Sequence, residues 1–384
     1  MRRVLIVAAL AGVVLAAALA SCGGKAQRPG TIRVAVLATK AEPLAKQGEM
    51  MRLGAQLKAD ELNASGGLKG RRLELVFYDG GCDPGRAEAV CRKLAEDETI
   101  ALVLGPLCSG AAKAAEPALH RADLPTILPV ASAEYLGRPS PVLFRMVPSD
   151  GRQARLLALY AAGEMGLSRV GVIFEDSQYG QVVRNAFGTE ARRLGLRVVG
   201  EEPYRPRAEE AEAALKALAA REPEAILLAG DAEMGAVVAR MAQRLRVKAK
   251  FLGTSVMAER TLLELGGPAV EGFTLVEPFV FEPVEEGARQ FSERFQDAFL
   301  QRPTWIAAST YDALGLAATA LERSASRKTL RRALAAVNSP SAGYQGATGL
   351  TYFDATGGSL RLIRIVRVEE GAFVPAPTQL EGAR

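Results

Sequence analysis

The sequence predicts an α/β protein built from two similar halves, each with helices packed around a parallel sheet. From Thr31 onward, short β-branched runs alternate with amphipathic helical patterns. The alternation stops at a proline-rich stretch, residues 139–151, and then starts again. The 384 residues suffice for two or three domains. Because strands joined by helices pair in parallel through right-handed crossovers, we expect two open parallel sheets facing each other across a cleft.

The first half is predicted to contain four strands alternating with three helices. The strands are 31–38, 72–79, 101–106 and 126–130, and the helices are 47–63, 84–97 and 109–121. Local signals mark the helix ends. Asp83 and Pro84 are typical of a helix start, and Gly66 with Gly67 is typical of a helix stop.

The second half repeats this pattern and ends in additional helices. Its strands are 169–176, 197–204, 225–230, 250–254 and 272–279, and its helices are 153–165, 183–194, 209–221 and 234–245. Helices near 284–301, 305–323 and 328–337 and strands around 350–353 and 360–368 complete the chain. Ligands bind open parallel sheets at the carboxyl ends of the strands, so the cleft between the halves is the expected binding site.

The composition excludes several classes of function. His120 is the single histidine, which rules out a multi-histidine metal site, and we expect neither a metal nor another cofactor. No G-x-x-x-x-G-K-[ST] motif for ATP hydrolysis occurs, and Ser109 lacks the G-x-S-x-G elbow of a hydrolase. The 48 Lys and Arg residues are interspersed with 43 Asp and Glu residues, so no clustered basic surface for nucleic acid is expected.

The N-terminus is typical of an exported lipoprotein. A Met-Arg-Arg start is followed by an apolar run over residues 4–20 and by Leu-Ala-Ser-Cys, a string that resembles the bacterial lipobox and ends at Cys22. Residues 1–21 are therefore predicted to be a signal peptide, Cys22 the lipidated residue, and 22–30 a tether. The alternatives are an ordinary signal peptide with an incidental cysteine, or an uncleaved anchor. The first interpretation places the chain in the periplasm or cell envelope, tethered to a membrane.

A series of short motifs runs in order from Thr31 to Val368. The motifs are Asp60-Glu61-Leu62-Asn63, Gly66-Gly67-Leu68-Lys69-Gly70, Tyr78-Asp79-Gly80-Gly81-Cys82-Asp83-Pro84, Gly105-Pro106-Leu107-Cys108-Ser109, Pro129-Val130-Ala131-Ser132, Asp176-Ser177-Gln178-Tyr179-Gly180, Tyr311-Asp312-Ala313, Gly346-Ala347-Thr348-Gly349 and Phe353-Asp354. In order and spacing, this series resembles the branched-chain amino-acid type of periplasmic substrate-binding protein of ABC transporters.

The resemblance implies a type I periplasmic-binding fold, in which two Rossmann-like lobes with parallel central sheets are joined by a three-strand hinge. The first lobe is expected to comprise residues 31–146 plus 280–342, and the second 147–279 plus 343–384. The three crossings are expected near Met146, Phe279 and Ala342.

The resemblance also implies a ligand site at the ends of two strands. Ser109 and Ser132 each follow a predicted buried strand and can offer a hydroxyl and a backbone N–H, while Ala131 can offer its carbonyl. In the family, these turns hold the α-carboxylate and α-ammonium of an amino acid. Tyr179 matches a tyrosine that reaches the ligand from the second lobe. Without the resemblance, both serines could be ordinary helix caps and Tyr179 a packing residue.

Some positions depart from the family pattern. The acidic residue that commonly neutralises the ammonium is replaced by Ser255, and the aromatic residue of the first loop is replaced by Gln47. Asp231, at a strand end, is the predicted substitute for that acid, and Glu277 is the weaker candidate. An aliphatic amino acid is the expected ligand, and a carboxylate or amide without an ammonium group is the alternative.

The cysteines allow two interpretations. With Cys22 assigned to lipid, Cys82, Cys91 and Cys108 form an odd set, which permits one disulfide or three free thiols. The resemblance implies a bond between Cys82 and Cys108, with Cys91 unpaired.

Three functions are compatible with these features. The first is a monomeric binding subunit that delivers a small molecule to an ABC permease in the membrane. The second is an extracytoplasmic sensor of the same fold. The third, an exported enzyme, is disfavoured because no nucleophile is paired with a base, so we expect no enzymatic activity.

Overall fold

The computed structural model describes residues 30–42, 44–137, 141–277 and 286–380. The predicted signal peptide, Cys22, the tether up to residue 29 and the hinge crossing at Phe279 lie outside the described residues. Within the described ranges, no helix is both long and apolar enough to cross a membrane.

The first sheet has five parallel strands in the order β2-β1-β3-β4-β5. They are β1 (Ile32–Ala38), β2 (Leu73–Asp79), β3 (Ile100–Leu104), β4 (Thr126–Leu128) and β5 (Leu143–Arg145), with helices α1 (Ala45–Ala64), α2 (Pro84–Glu96) and α3 (Ser109–Arg121). These elements agree with the prediction except for β5, whose three residues are too short to show a pattern. The runs of Val, Ile and Leu suit strands that are covered on both faces.

The second sheet has seven strands in the order β14-β13-β10-β9-β8-β6-β7. The strands are β6 (Arg169–Glu175), β7 (Arg197–Tyr204), β8 (Ala225–Ala229), β9 (Lys250–Gly253), β10 (Thr274–Glu277), β13 (Arg364–Glu369) and β14 (Ala372–Pro375). The helices are α4 (Asp150–Gly163), α5 (Gln178–Arg193), α6 (Ala208–Ala219), α7 (Ala232–Arg244) and α8 (Arg260–Gly266). Strands β6 to β10 are parallel, and β13 and β14 extend that sheet antiparallel.

Three later helices return to the first sheet. They are α9 (Glu286–Phe299), α10 (Trp305–Leu321) and α11 (Arg327–Ala335). Helix α10 is buried on nearly all sides and packs closely on α1, where a Cβ at Gly54 would lie 2.2 Å from the carbonyl oxygen of Ala307. Lys58 of α1 also donates to Tyr311 of α10 over 2.9 Å. The two helices therefore run side by side in the same direction.

The hairpin of β11 (Tyr344–Gly346) and β12 (Gly349–Thr351) also packs with the first sheet. Buried Asp312 accepts the backbone N–H groups of Ala347 at 2.8 Å and Thr348 at 2.7 Å, and Phe353 is fully buried in the same core. We therefore place the third lobe boundary after Phe353 instead of at Ala342. The predicted assignment of residues 343–353 to the second lobe is corrected, because their buried contacts lie in the first.

A disulfide joins Cys82, just after β2, to Cys108, just before α3, with the Cα atoms 4.8 Å apart. The pairing implied by the resemblance is thereby confirmed. Cys91 is free and buried in α2, and burial raises the pKa of its thiol to about 12. The bond fixes the turn that carries Ser109, because Cys108 also donates its backbone N–H to the carbonyl of Gly81 at 2.9 Å.

Replacing both disulfide cysteines, Cys82→Ser with Cys108→Ser, should lower the free energy of unfolding. The bond closes a sequence separation of 26 residues, which corresponds to about 3 kcal/mol by the chain-entropy argument. Urea unfolding measures the loss. Reductant should lower the wild type to the same stability and leave the double variant unchanged. Peptide mapping that linked Cys82 to Cys91 would contradict the assignment.

Candidate functional site

A cavity of about 330 Å³ is lined by residues of both lobes. Its walls are mostly apolar, with polar groups at a few points. The lining residues are Leu44, Gln47, Leu107, Cys108, Ser109, Val130, Ala131, Ser132, Ala133, Tyr135, Val147, Asp150, Gln178, Tyr179, Val182, Ser255, Val256, Glu259, Trp305 and Ile306. Four predicted site residues, Ser109, Ala131, Ser132 and Tyr179, are brought together here, although they come from three separate segments.

The turn between β3 and α3 presents a helix start to the cavity. Gly105 adopts a φ of +98°, and a Cβ there would lie 2.5 Å from the carbonyl oxygen of Leu37, so the turn requires glycine. No side chain caps α3. The hydroxyl oxygen of Ser109, the first helical residue, accepts the backbone N–H of Ala133 at 3.3 Å, which links this turn to the one after β4. A helix N-terminus without a side-chain cap is suited to bind an anion.

Asp150 is an acidic residue that the sequence analysis did not select. It begins α4, is only 4% exposed, and accepts a 2.8 Å hydrogen bond from the hydroxyl of Ser132. Burial raises the pKa of Asp150 to about 6, against the opposing effects of that hydrogen bond and of the positive charge of Arg145. The Arg145 guanidinium, itself buried, donates to the carbonyl of Ala133 at 2.6 Å and steadies the turn after β4.

The second lobe contributes helix α5 and the segment after β9. The Tyr179 hydroxyl is hydrogen-bonded to the Thr254 hydroxyl, and burial raises the pKa of this tyrosine far above its usual value. Ser255 donates its backbone N–H to the Gln153 side-chain oxygen at 2.9 Å. These bonds tie the segment after β9 to α4 and α5, so the second-lobe wall of the cavity is one connected unit.

Glu259 is the second acidic residue missed from the sequence. It stands immediately before α8 and lines the cavity four positions beyond Ser255, where the family acid was expected. Burial, followed by the negative charge of nearby Asp231, raises the pKa of Glu259 to about 7. Among the described residues, its carboxylate forms no ion pair or hydrogen bond. An acid that follows a strand end and precedes a helix was the available signal in the sequence.

Asp231 and Glu277 do not line the cavity. Asp231 is exposed and caps α7 by accepting the backbone N–H of Met234 at 2.8 Å. Glu277 ends β10 and is 4% exposed, and burial raises its pKa well above the usual value. The structure does not bring Asp231 and Glu277 together with Ser109, Ala131, Ser132 and Tyr179 at the cavity, since a strand-end acid can instead cap the next helix or stay buried in the sheet.

The described ranges contain no group of three or more His, Cys, Asp or Glu side chains placed to hold a metal ion. His120 is exposed near the end of α3, away from the cavity lining.

The sequence model of the periplasmic binding protein family matches residues 31–372. The chain belongs to the periplasmic binding protein family. This periplasmic binding protein is 27% identical over 255 residues to the Leu/Ile/Val-binding protein of Escherichia coli (strain K12), a match that covers 66% of this chain and 69% of the relative.

Solved structures share the same fold. An ABC transporter substrate-binding protein from Desulfitobacterium hafniense, in complex with Leu, is 25% identical with a TM-score of 0.76, over 90% of this chain and 100% of that one. An ABC transporter solute binding protein from R. palustris, in complex with benzoate, is 20% identical with a TM-score of 0.77, over 90% of this chain and 95% of that one. The predicted type I periplasmic-binding fold is confirmed.

Replacing Asp150 with Asn should change how stability depends on pH. Since the pKa is raised from 3.8 to about 6, folding favours proton uptake, and the wild type gains stability from this group as the pH falls through 6 toward 4. Asp150→Asn lacks that gain. The stability of the variant relative to the wild type should fall by about 2–3 kcal/mol between pH 7.5 and pH 4 in urea unfolding.

A matched control is Glu264→Gln, which removes an exposed carboxylate of α8. Its stability difference from the wild type should stay nearly constant over the same pH range. A pH-independent difference for Asp150→Asn would contradict the raised pKa.

Proposed function

We propose that this periplasmic binding protein captures an amino acid in its cavity and delivers it to an ABC permease. One observation carries the proposal: the start of a helix without a side-chain cap and a buried carboxylate line the same cavity. Among the described lining residues there is no Lys or Arg. Such a space suits a ligand that carries both a carboxylate and a cationic group.

The carboxylate of the ligand is assigned to the first lobe. Ser109 offers its hydroxyl and Ser132 its backbone N–H at two neighbouring turns, and the first N–H groups of α3 lie beside Ser109. Neutral donors at a helix start stabilise an anion without a counter-charge once water is excluded. Ser132 also carries the hydrogen bond to Asp150, so anion and cation sites adjoin.

The ammonium group of the ligand is assigned to Asp150, with the Ala131 carbonyl beside it. A buried carboxylate is unfavourable alone, as its raised pKa shows, and a cation placed next to it restores the ionised form. Tyr179, on the opposite wall, covers the ligand when the lobes close by hinge motion.

The charge of the cavity argues against a simple carboxylate such as the benzoate held by the R. palustris protein. Two carboxyl groups, Asp150 and Glu259, line the space, and an anion without a cationic group would be repelled by both when they are ionised. We also propose that residues 1–21 are removed on export and that Cys22 receives a lipid. The chain then works outside the cytoplasm, as the family name implies for its relatives.

Isothermal calorimetry on the protein from residue 23 to 384 tests this function. We expect heat of binding with at least one proteinogenic amino acid and weak or no binding of benzoate. For that amino acid, the analogue without the amino group (4-methylpentanoate in the case of leucine) should bind at least about tenfold more weakly, because the charge-assisted bond to Asp150 is lost. Tighter binding of benzoate or the deaminated analogue would overturn the proposal.

Two substitutions should distinguish the residue that binds the carboxylate of the ligand from the residue that binds its ammonium group. Ser109→Ala should weaken the amino acid and its deaminated analogue alike, by about 1–3 kcal/mol, because both contain the carboxylate. Asp150→Asn should weaken only the amino acid, which alone carries the ammonium group. Calorimetry of the two variants with the two ligands gives four affinities, and each is compared with the wild-type affinity for the same ligand.

The control is Glu164→Gln, which removes an exposed carboxylate at the far end of the same helix α4, outside the cavity lining. This variant should bind both ligands as the wild type does. An equal effect of Asp150→Asn on the two ligands would contradict the ammonium assignment.

A further inference from the structure

The cavity holds one more carboxylate than a simple amino acid requires. Asp150 adjoins the carboxylate site through Ser132, while Glu259 stands on the segment after β9. The two acids lie in different electrostatic surroundings. The charges of Arg145 and Glu134 act on Asp150, whereas the charge of Asp231 acts on Glu259. They are therefore two separate acidic points on the cavity wall.

The Glu259 carboxylate differs from those of Asp231 and Asp150 because it has no hydrogen-bond partner among the described residues. Asp231 is engaged as the cap of α7, and Asp150 is engaged with Ser132. Glu259 lines the cavity with no hydrogen bond or ion pair among the described residues, and the negative charge of Asp231 acts on it. No Lys or Arg of the described lining balances these two charges.

The walls beside Glu259 are apolar. Val256 lies three residues earlier on the same segment, and Val182 of α5 also lines the cavity. An aliphatic stem can pack on such walls while a charged end group reaches a carboxylate, which is how lysine and arginine side chains are accommodated in proteins. A short aliphatic side chain would cover the valines and leave the Glu259 carboxylate without a partner.

We propose that Glu259 recognises a positive charge at the end of the ligand side chain, so that the preferred ligands are cationic amino acids. The inference rests on the proposed function and adds the class of side chain to it. The α-carboxylate lies at Ser109 and Ser132, the α-ammonium at Asp150, and the side-chain cation at Glu259. The two positive charges of the ligand then pair with the two carboxylates of the cavity lining. The carboxylate of the ligand lies at the start of helix α3.

Calorimetry with isosteric ligand pairs tests the assignment. Arginine and citrulline differ by a guanidinium against a neutral ureido group, and lysine and norleucine differ by the terminal ammonium. We expect the cationic member of each pair to bind about tenfold or more tightly, because hydrogen bonds to ionised groups are roughly twice as strong as neutral ones. Glu259→Gln should bring each ratio close to one.

The control is Glu264→Gln, which removes an exposed carboxylate five residues along the same segment and should leave the ratios unchanged. Circular dichroism confirms that each variant is folded. If arginine and citrulline bind the wild type equally, the inference is wrong while the amino-acid function stands. An equal loss of both ligands in Glu259→Gln would assign Glu259 to the α-ammonium and also overturn it. If no amino acid binds, the proposed function itself fails.

Discussion

The site depends on one geometric constraint of parallel sheets. Each strand is followed by a helix that returns to the other end, so helices begin where strands end, and their positive N-termini gather at one edge. In the first lobe, α1, α3 and α10 all begin at the cavity and none has a side-chain cap. By contrast, α2 and α11 begin elsewhere and are capped by Asp83 and Ser326. Among these five helices, the uncapped backbone donors therefore lie at the cavity.

The second lobe faces these donors with groups of the opposite sign. Its helices begin with carboxylates at the same edge: Asp231 caps α7 and Glu259 precedes α8, while Asp150 begins α4 where the chain enters the lobe. The electrostatic field between the helix N-termini of the first lobe and the carboxylates of the second lobe orients a dipolar ligand before any specific contact forms. Burial strengthens that field, because the low-dielectric interior screens charges less than water does.

Cross-links around the cavity hold these groups in place. The disulfide Cys82–Cys108 fixes the turn of Ser109, and Arg145 holds the turn after β4 through the Ala133 carbonyl. On the second lobe, the bond from Ser255 to Gln153 joins the wall after β9 to α4. The positions of binding groups on loops are better defined when the loops are bonded to rigid elements, and each wall of this cavity contains such a bond.

The sequence alone determined the alternation of strands and helices, the two halves, and the turns that carry Ser109, Ala131 and Ser132. These features are local: hydrophobic period, caps and glycines act within a few residues, and a strand end is readable from its own pattern. Tertiary structure decided what depends on distant partners. Phe353 and its hairpin joined the first lobe because Asp312 and the first core bury them. Asp150 and Glu259 line the cavity, whereas Asp231 does not. An acid at the end of a strand has the same sequence signature in either case, because the direction of its side chain is set by the packing of helices far away in the chain.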